Sequence, residues 1–219
     1  MQTPKHKRLA AGILLLSWCS LIHAGPIDDL LAEAQAGNAD AQFKLGLAYD
    51  SGRGVPREID TAKMWYSKSA EQGNVEAQNS LGSIYQEEKN YQGARLWFEK
   101  AAAKKNALAL NNLAYLHDLG LGTEQNRKMA FDLYLQSADL GWGEAMWNLA
   151  NMYGAGQVGA PDLYQACVWT MRAERFSANN GNLAMHVRQA KPQILKLLGG
   201  RASACEQEGN AWSPQTVNK

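Results

Sequence analysis

The sequence predicts an all-α protein, an α/α superhelical solenoid of about four helix-turn-helix repeats closed by helical caps. Three observations carry this. The block Ala145-Met-Trp-Asn-Leu-Ala-Asn-Met-Tyr-Gly-Ala-Gly156 recurs in variant form from Ala41, Ala77 and Ala109, with starts 36, 32 and 36 residues apart. A second block follows each copy: AKMWYSKSA from Ala62, ARLWFEKAA from Ala94, AFDLYLQSA from Ala130 and ACVWTMRAE from Ala166. Within both blocks the apolar residues return at helical spacing. Self-similarity at this period marks stacked units that bury their apolar faces against their neighbours.

Residues 1–24 read as a secretory signal peptide. Lys5, Lys7 and Arg8 precede an apolar run from Leu9 to Leu16, and Ile22-His23-Ala24 offers a cleavage site before Gly25. The run is shorter than the roughly 20 residues a bilayer span takes. Acylation of Cys19 would need a small residue before it, and Trp18 is bulky. Without those three basic residues the chain has 19 basic and 21 acidic residues, net −2. A near-neutral balance gives no general attraction to nucleic acid or anionic lipid. The expected mature protein therefore starts at Gly25 and resides in the periplasm or is secreted, with no membrane insertion after cleavage.

Residues 25–36 form the expected N-terminal capping helix. Pro26 suits a helix start, Asp28 and Asp29 suit the positive end of its dipole, and Gly37 ends it. The segment resembles the second helix of a unit that lacks its first. Four repeats follow, at 37–72, 73–104, 105–140 and 141–178. In their first helices Ala, Leu, a small residue and Tyr or His recur at i, i+4, i+5 and i+8, as in Ala41, Leu45, Gly46 and Tyr49. In the second helices Ala62, Trp65, Tyr66 and Ala70 set the pattern, and Trp97-Phe98, Leu133-Tyr134 and Trp169-Thr170 fill the paired position. These aromatics read as core. Glycine loops join the helices at Gly52, Gly120 and Gly156; unit two is four residues shorter there, so a tight turn at Glu87–Asn90 is expected. Residues 179–208 read as a C-terminal cap, with a short helix from Leu183 to Ala190 and Pro192 starting or kinking another through Leu198. Residues 209–219 are polar and read as a disordered tail.

The motif A-x-x-x-L-G-x-x-Y-x-x-G-x-G-V followed by A-x-x-W-Y-x-x-A-A-x-x-G resembles the Sel1-like repeat family, relatives of tetratricopeptide repeats. The resemblance covers about residues 28–178 and is fullest from Ala41 to Gly73. Unit four departs from it at Thr170 and Glu174, where an aromatic and an Ala are expected. The family implies an α/α superhelix used for protein–protein contacts.

No catalytic, cofactor or metal site is expected. Gly154-Ala-Gly-Gln-Val-Gly159 matches a dinucleotide-binding pattern but leaves a helix rather than a strand, so it reads as a repeat loop. His117 occupies the Tyr position of its unit, and no second ligand lies at metal spacing. Neither Gly-x-Ser-x-Gly nor Ser-x-x-Lys occurs. Cysteine-rich secreted relatives linked to β-lactams carry a disulfide in each repeat, unlike this chain. Loss of Cys19 with the signal leaves Cys167 and Cys205, an even pair expected to bridge the cap to the last repeat in an oxidising compartment.

Positions that differ between units on the face opposite the Ala-Leu-Tyr stripe are the candidate binding residues: Phe43, Leu47, Asn79, Ser83, Asn111, Tyr115, Trp147 and Asn151. First helices line the concave side in repeats of this kind. An amide and aromatic ladder there would hold an extended peptide; alternatively, Phe43 and Trp147 pack on capping segments. Trp142 stands where other units carry Asn38, Asn74 and Asn106, either exposed or covering the last loop. The expected function is a non-enzymatic scaffold, adaptor or regulator that binds another protein or peptide. The alternatives are a structural component of an envelope machine and a β-lactam-binding or cell-wall enzyme.

Overall fold

The computed structural model describes residues 26–214, and the signal-sequence and Cys19 expectations lie outside them. Eleven α-helices and one 3-10 turn are present among the described residues, and no strand. Four antiparallel pairs form the repeats: α2 (Ala39–Ser51) with α3 (Ile59–Glu71), α4 (Val75–Glu87) with α5 (Tyr91–Ala103), α6 (Ala107–Leu119) with α7 (Arg127–Asp139), and α8 (Gly143–Gly154) with α9 (Leu163–Arg175). Before them stands α1 (Pro26–Gln35); after them come α10 (Gly181–Leu198) and α11 (Ala202–Ala211).

The first helices of units one to three start where an Asn can satisfy backbone donors that the helix itself leaves unpaired. Asn38, Asn74 and Asn106 accept from the N–H groups of Ala41, Ala77 and Ala109. Trp142 cannot, and unit four has no side-chain cap there. Its ring instead lies half-buried against the core. The loops after α2 and α6 close on Gly52 (φ 71) and Gly120 (φ 70), left-handed positions suited to glycine. The short turn of unit two places Lys89 in that conformation, φ 60.

Inside each unit the Ala and Leu positions vanish from solvent: Leu45, Leu81 and Leu149 are fully buried. The small residue after that Leu exists for a ring. A Cβ on Gly46 would lie 2.6 Å from the ring of Tyr66, and one on Gly82 would lie 2.6 Å from that of Phe98. Within units, Ser69 Oγ donates to Ala39 O at 2.6 Å and Ser137 Oγ to Ala107 O at 2.7 Å. Gln42 Nε2 donates to Ala34 O and Gln78 Nε2 to Ala70 O, so α1 stands to α2 as α3 stands to α4.

The C-terminal region differs from the sequence expectation in two ways. Residues 181–198 form one helix, with Pro192 inside it rather than at a break. Pro192 lies on the exposed side, where water can serve the carbonyl its missing N–H leaves unpaired. The second correction concerns the polar tail. Residues 209–214 are ordered, because α11 runs to Ala211 and packs on α9. Gly209 is buried against Met171, Trp212 stacks obliquely on Trp169 and edge-on to Phe176, and Arg175 donates to Asn210 O and Trp212 O. The disulfide Cys167–Cys205 joins α9 to α11, with both cysteines fully buried.

Helix α10 is the first helix of a fifth unit. Asn180 accepts from Leu183 N as Asn74 does from Ala77 N. Its Nδ2 donates to Glu144 Oε1 as that of Asn74 donates to Asp40 Oδ1. Leu183 and Val187 then take the buried places of Ala77 and Leu81. The pairing second helix does not follow, since α11 turns back onto α9.

Candidate functional site: the first-helix face and its C-terminal cleft

The eight candidate residues lie on α2, α4, α6 and α8, but the structure divides them. Leu47 and Tyr115 are open, 42% and 40% exposed, and Asn151 is exposed. Ser83 is half-buried and donates to Asn79 O of its own helix. Phe43 is half-buried, 5.8 Å from the Tyr66 ring. Asn79 and Asn111 are buried rather than free for a ligand. Asn112 Nδ2 donates to Asn79 Oδ1 at 3.3 Å, and Asn148 Nδ2 to Asn111 Oδ1 at 3.1 Å. The amide ladder thus runs between the chain's own first helices. A buried amide without such a partner would cost about 1–3 kcal/mol, which is why the two sides match.

The same register continues into the cap. Trp147 stands one unit after Asn111, and its ring stacks on His186 of α10, centroids 6.1 Å apart and planes 17° apart. Trp147 therefore packs on the capping segment. Amide meets amide and ring meets ring at successive seams.

These contacts frame a cleft of about 380 Å³ between α6, α8 and α10, at the C-terminal end of the first-helix face. Gln86, Asn112, Tyr115, Trp147, Asn182 and His186 are among its lining residues. Gln86 Oε1 is buried with no hydrogen-bond partner among the described residues. Sequence reasoning missed Gln86, Asn112, Asn148, Asn182 and His186. A signal did exist: each Asn at the third position of a first-helix block has an Asn at the fourth position of the next block.

The Sel1 repeat model matches residues 39–74, 75–106, 107–142 and 143–170. The chain belongs to the Sel1 repeat family. It is 41% identical over 64 residues to a sel1-like repeat-containing protein of Acanthamoeba polyphaga mimivirus, covering 28% of this chain and 12% of that protein. It is 41% identical over 54 residues to HRD3A of Arabidopsis thaliana, an ERAD-associated E3 ubiquitin-protein ligase component, covering 24% and 8%. The chain thus spans about a tenth of the length of these relatives. Among solved structures it resembles c5321, a protective antigen present in uropathogenic Escherichia coli strains displaying an SLR fold. There the identity is 29%, the TM-score 0.65, and the match covers 88% of this chain and 44% of that one. A Sel1 repeat protein from Oxalobacter formigenes gives 26% identity and TM-score 0.64 over 85% and 75%.

Sel1 repeat solenoids are protein–protein interaction scaffolds and generally not enzymes. No helix among the described residues is long and apolar enough to cross a membrane, and no group of three His, Cys, Asp or Glu residues there could hold a metal ion. Three of the perturbed side chains of this Sel1 chain, Tyr66, His117 and Tyr134, belong to its core. Burial raises the hydroxyl pKa of Tyr66 and Tyr134, reinforced by Asp50 and Asp118 respectively. Burial lowers the pKa of the His117 imidazole, which is 7% exposed, and the nearby Arg95 cation lowers it further.

Proposed function

We propose that the protein is a non-enzymatic periplasmic adaptor that holds an extended segment of a partner protein in the cleft between α6, α8 and α10. The observation that carries this is the cleft's mixed lining. Gln86 offers an unsatisfied buried acceptor, Asn112, Asn148 and Asn182 add amides, and Tyr115 presents an open ring beside them. An extended peptide exposes alternating backbone donors and acceptors, which amides satisfy, while aromatic side chains supply contact area at low entropic cost. The basic, apolar N-terminus motivates the periplasmic location.

The test replaces Tyr115 with a photo-crosslinking residue in the full-length chain and fractionates the cell. A discrete crosslinked partner in the periplasmic fraction is expected, absent when the crosslinker replaces the exposed Lys128 on α7. Equal yields from both positions, or recovery of the protein only in the cytoplasm, would overturn the proposal.

A further inference from the structure

The last repeat helix ends in groups that its counterparts lack. Arg175 and Phe176 stand where units one to three carry Glu71-Gln72, Ala103-Lys104 and Asp139-Leu140. Three units pack without an Arg-Phe pair, so the repeat fold does not require one.

Residues 210–214 are what this pair meets. Trp212 leaves α11 at φ −72 and ψ 146, a polyproline II conformation. Its ring lies 6.3 Å from that of Trp169 and 6.0 Å from that of Phe176, with Arg172 Cζ 5.1 Å from its centre. Arg175 donates to Asn210 O at 2.9 Å and, from the same nitrogen, to Trp212 O. Pro214 lies on Gly141, where a Cβ would come within 3.6 Å of Pro214 Cγ. Trp212 and Pro214 are half-buried, and Ser213 between them is exposed. Arg172 Nε is buried with no hydrogen-bond partner among the described residues, a donor this segment leaves unused. The contacts are thus two main-chain carbonyls, one aromatic ring and one proline ring, held on an aromatic face. Extended proline-containing segments are recognised in this way. Upstream, the disulfide Cys167–Cys205 and the buried Gly209 hold α11 on α9, so residues 210–214 can lift off while α11 stays docked.

We propose that this face of α9 is a binding site for an extended aromatic-x-proline segment of a partner protein. Trp212-Ser213-Pro214 is its resident strap, and the partner segment binds by displacing it. A tethered strap acts at about millimolar effective concentration, so it keeps the site closed to weak ligands. The site is separate from the cleft between α6, α8 and α10 and does not rest on the adaptor reading.

The test is fluorescence anisotropy with a labelled peptide Asn-Ala-Trp-Ser-Pro, the chain's own residues 210–214, titrated with the full-length protein. Trp212→Ala vacates the site and should tighten binding about tenfold or more over the wild type, by removing the tethered competitor. Adding Arg175→Ala should take that gain away, as should Ala in place of Trp in the peptide. Pro214→Ala frees the strap from Gly141 while keeping its aromatic contacts. It should give a smaller gain, which decides the matter if Trp212→Ala does not fold. Equal affinity for the wild type and the folded strap variants, or equal binding of the peptide without its Trp, would overturn the site. Loss of the Tyr115 crosslink with the strap gain intact would sink the adaptor reading and leave this site standing.

Discussion

At the second position of the first-helix block, units one and two carry Gln42 and Gln78, and units three and four carry Leu110 and Met146. All four are buried. The glutamines donate to the last turn of the preceding helix, to Ala34 O and Ala70 O. The apolar pair instead belongs to one continuous core running from α5 through α10, whereas the N-terminal half holds two smaller clusters. Among the described residues, only the C-terminal half has a disulfide and a helix folded back over its last pair. One backbone geometry thus accepts two kinds of seam. A hydrogen-bonded seam fixes register with little apolar area, and an apolar seam gains energy from area but needs other contacts to set register.

The difference can be broken most strongly in the apolar half. Leu149→Ala should destabilise by about 2–5 kcal/mol, read by denaturant unfolding, because a fully buried side chain leaves a cavity. Trp147→Ala, half-buried on His186, should cost less; equal early melting of the two variants would make Trp147 core and not a wall of a ligand site. The double change of Cys167 and Cys205 to Ser should remove about 3–4 kcal/mol in the chain-entropy model. Thiol labelling of denatured, unreduced protein should find neither cysteine free, and two labelled sites would contradict the bridge.

In the hydrogen-bonded half, Gln78→Ala should cost about 0.5–1.5 kcal/mol, the net worth of its bond to Ala70 O, which still accepts from Gly73 N–H. If Leu110→Gln costs as little as a seam swap implies, the two seam types are interchangeable; a loss matching Leu149→Ala would show they are not. A smaller effect lies at the turn between units two and three. Lys105 has φ 59 where Gly37, Gly73 and Gly141 hold the corresponding place, so Lys105→Gly should stabilise by about 1 kcal/mol, with an unchanged denaturant slope. The smallest effect is pH-dependent. His117 has a lowered pKa in the native state, so the unfolded chain binds its proton first. Its stabilising contribution is present above the unfolded value of about 6.5 and is lost as pH falls below it. His117→Tyr, matching Tyr49, Tyr85 and Tyr153, should flatten that part of the stability profile; an unchanged profile would assign the acid sensitivity elsewhere.

The repeat period, the helix pairs and the glycine loops were legible in the chain because they are local. Ala, Leu and Tyr at helical spacing, with glycine where φ must be positive, specify each unit without reference to the next. The pairing of Cys167 with Cys205 was expected from the reading of residues 1–24 as a signal that takes Cys19 away. What a side chain meets across a seam was not legible in that way. Asn79 and Asn111 looked free because they vary between units, yet each is occupied by an Asn one repeat later. The fifth first helix was hidden because Leu183 and Val187 keep the burial of Ala77 and Leu81 but not their identity. The tail escaped notice because its order depends on Met171, Trp169 and Arg175, more than thirty residues away. Local propensity sets the helices of this protein. The cleft and the docked C-terminus arise only when helices distant in sequence meet, since burial and hydrogen-bond satisfaction are properties of the assembled stack.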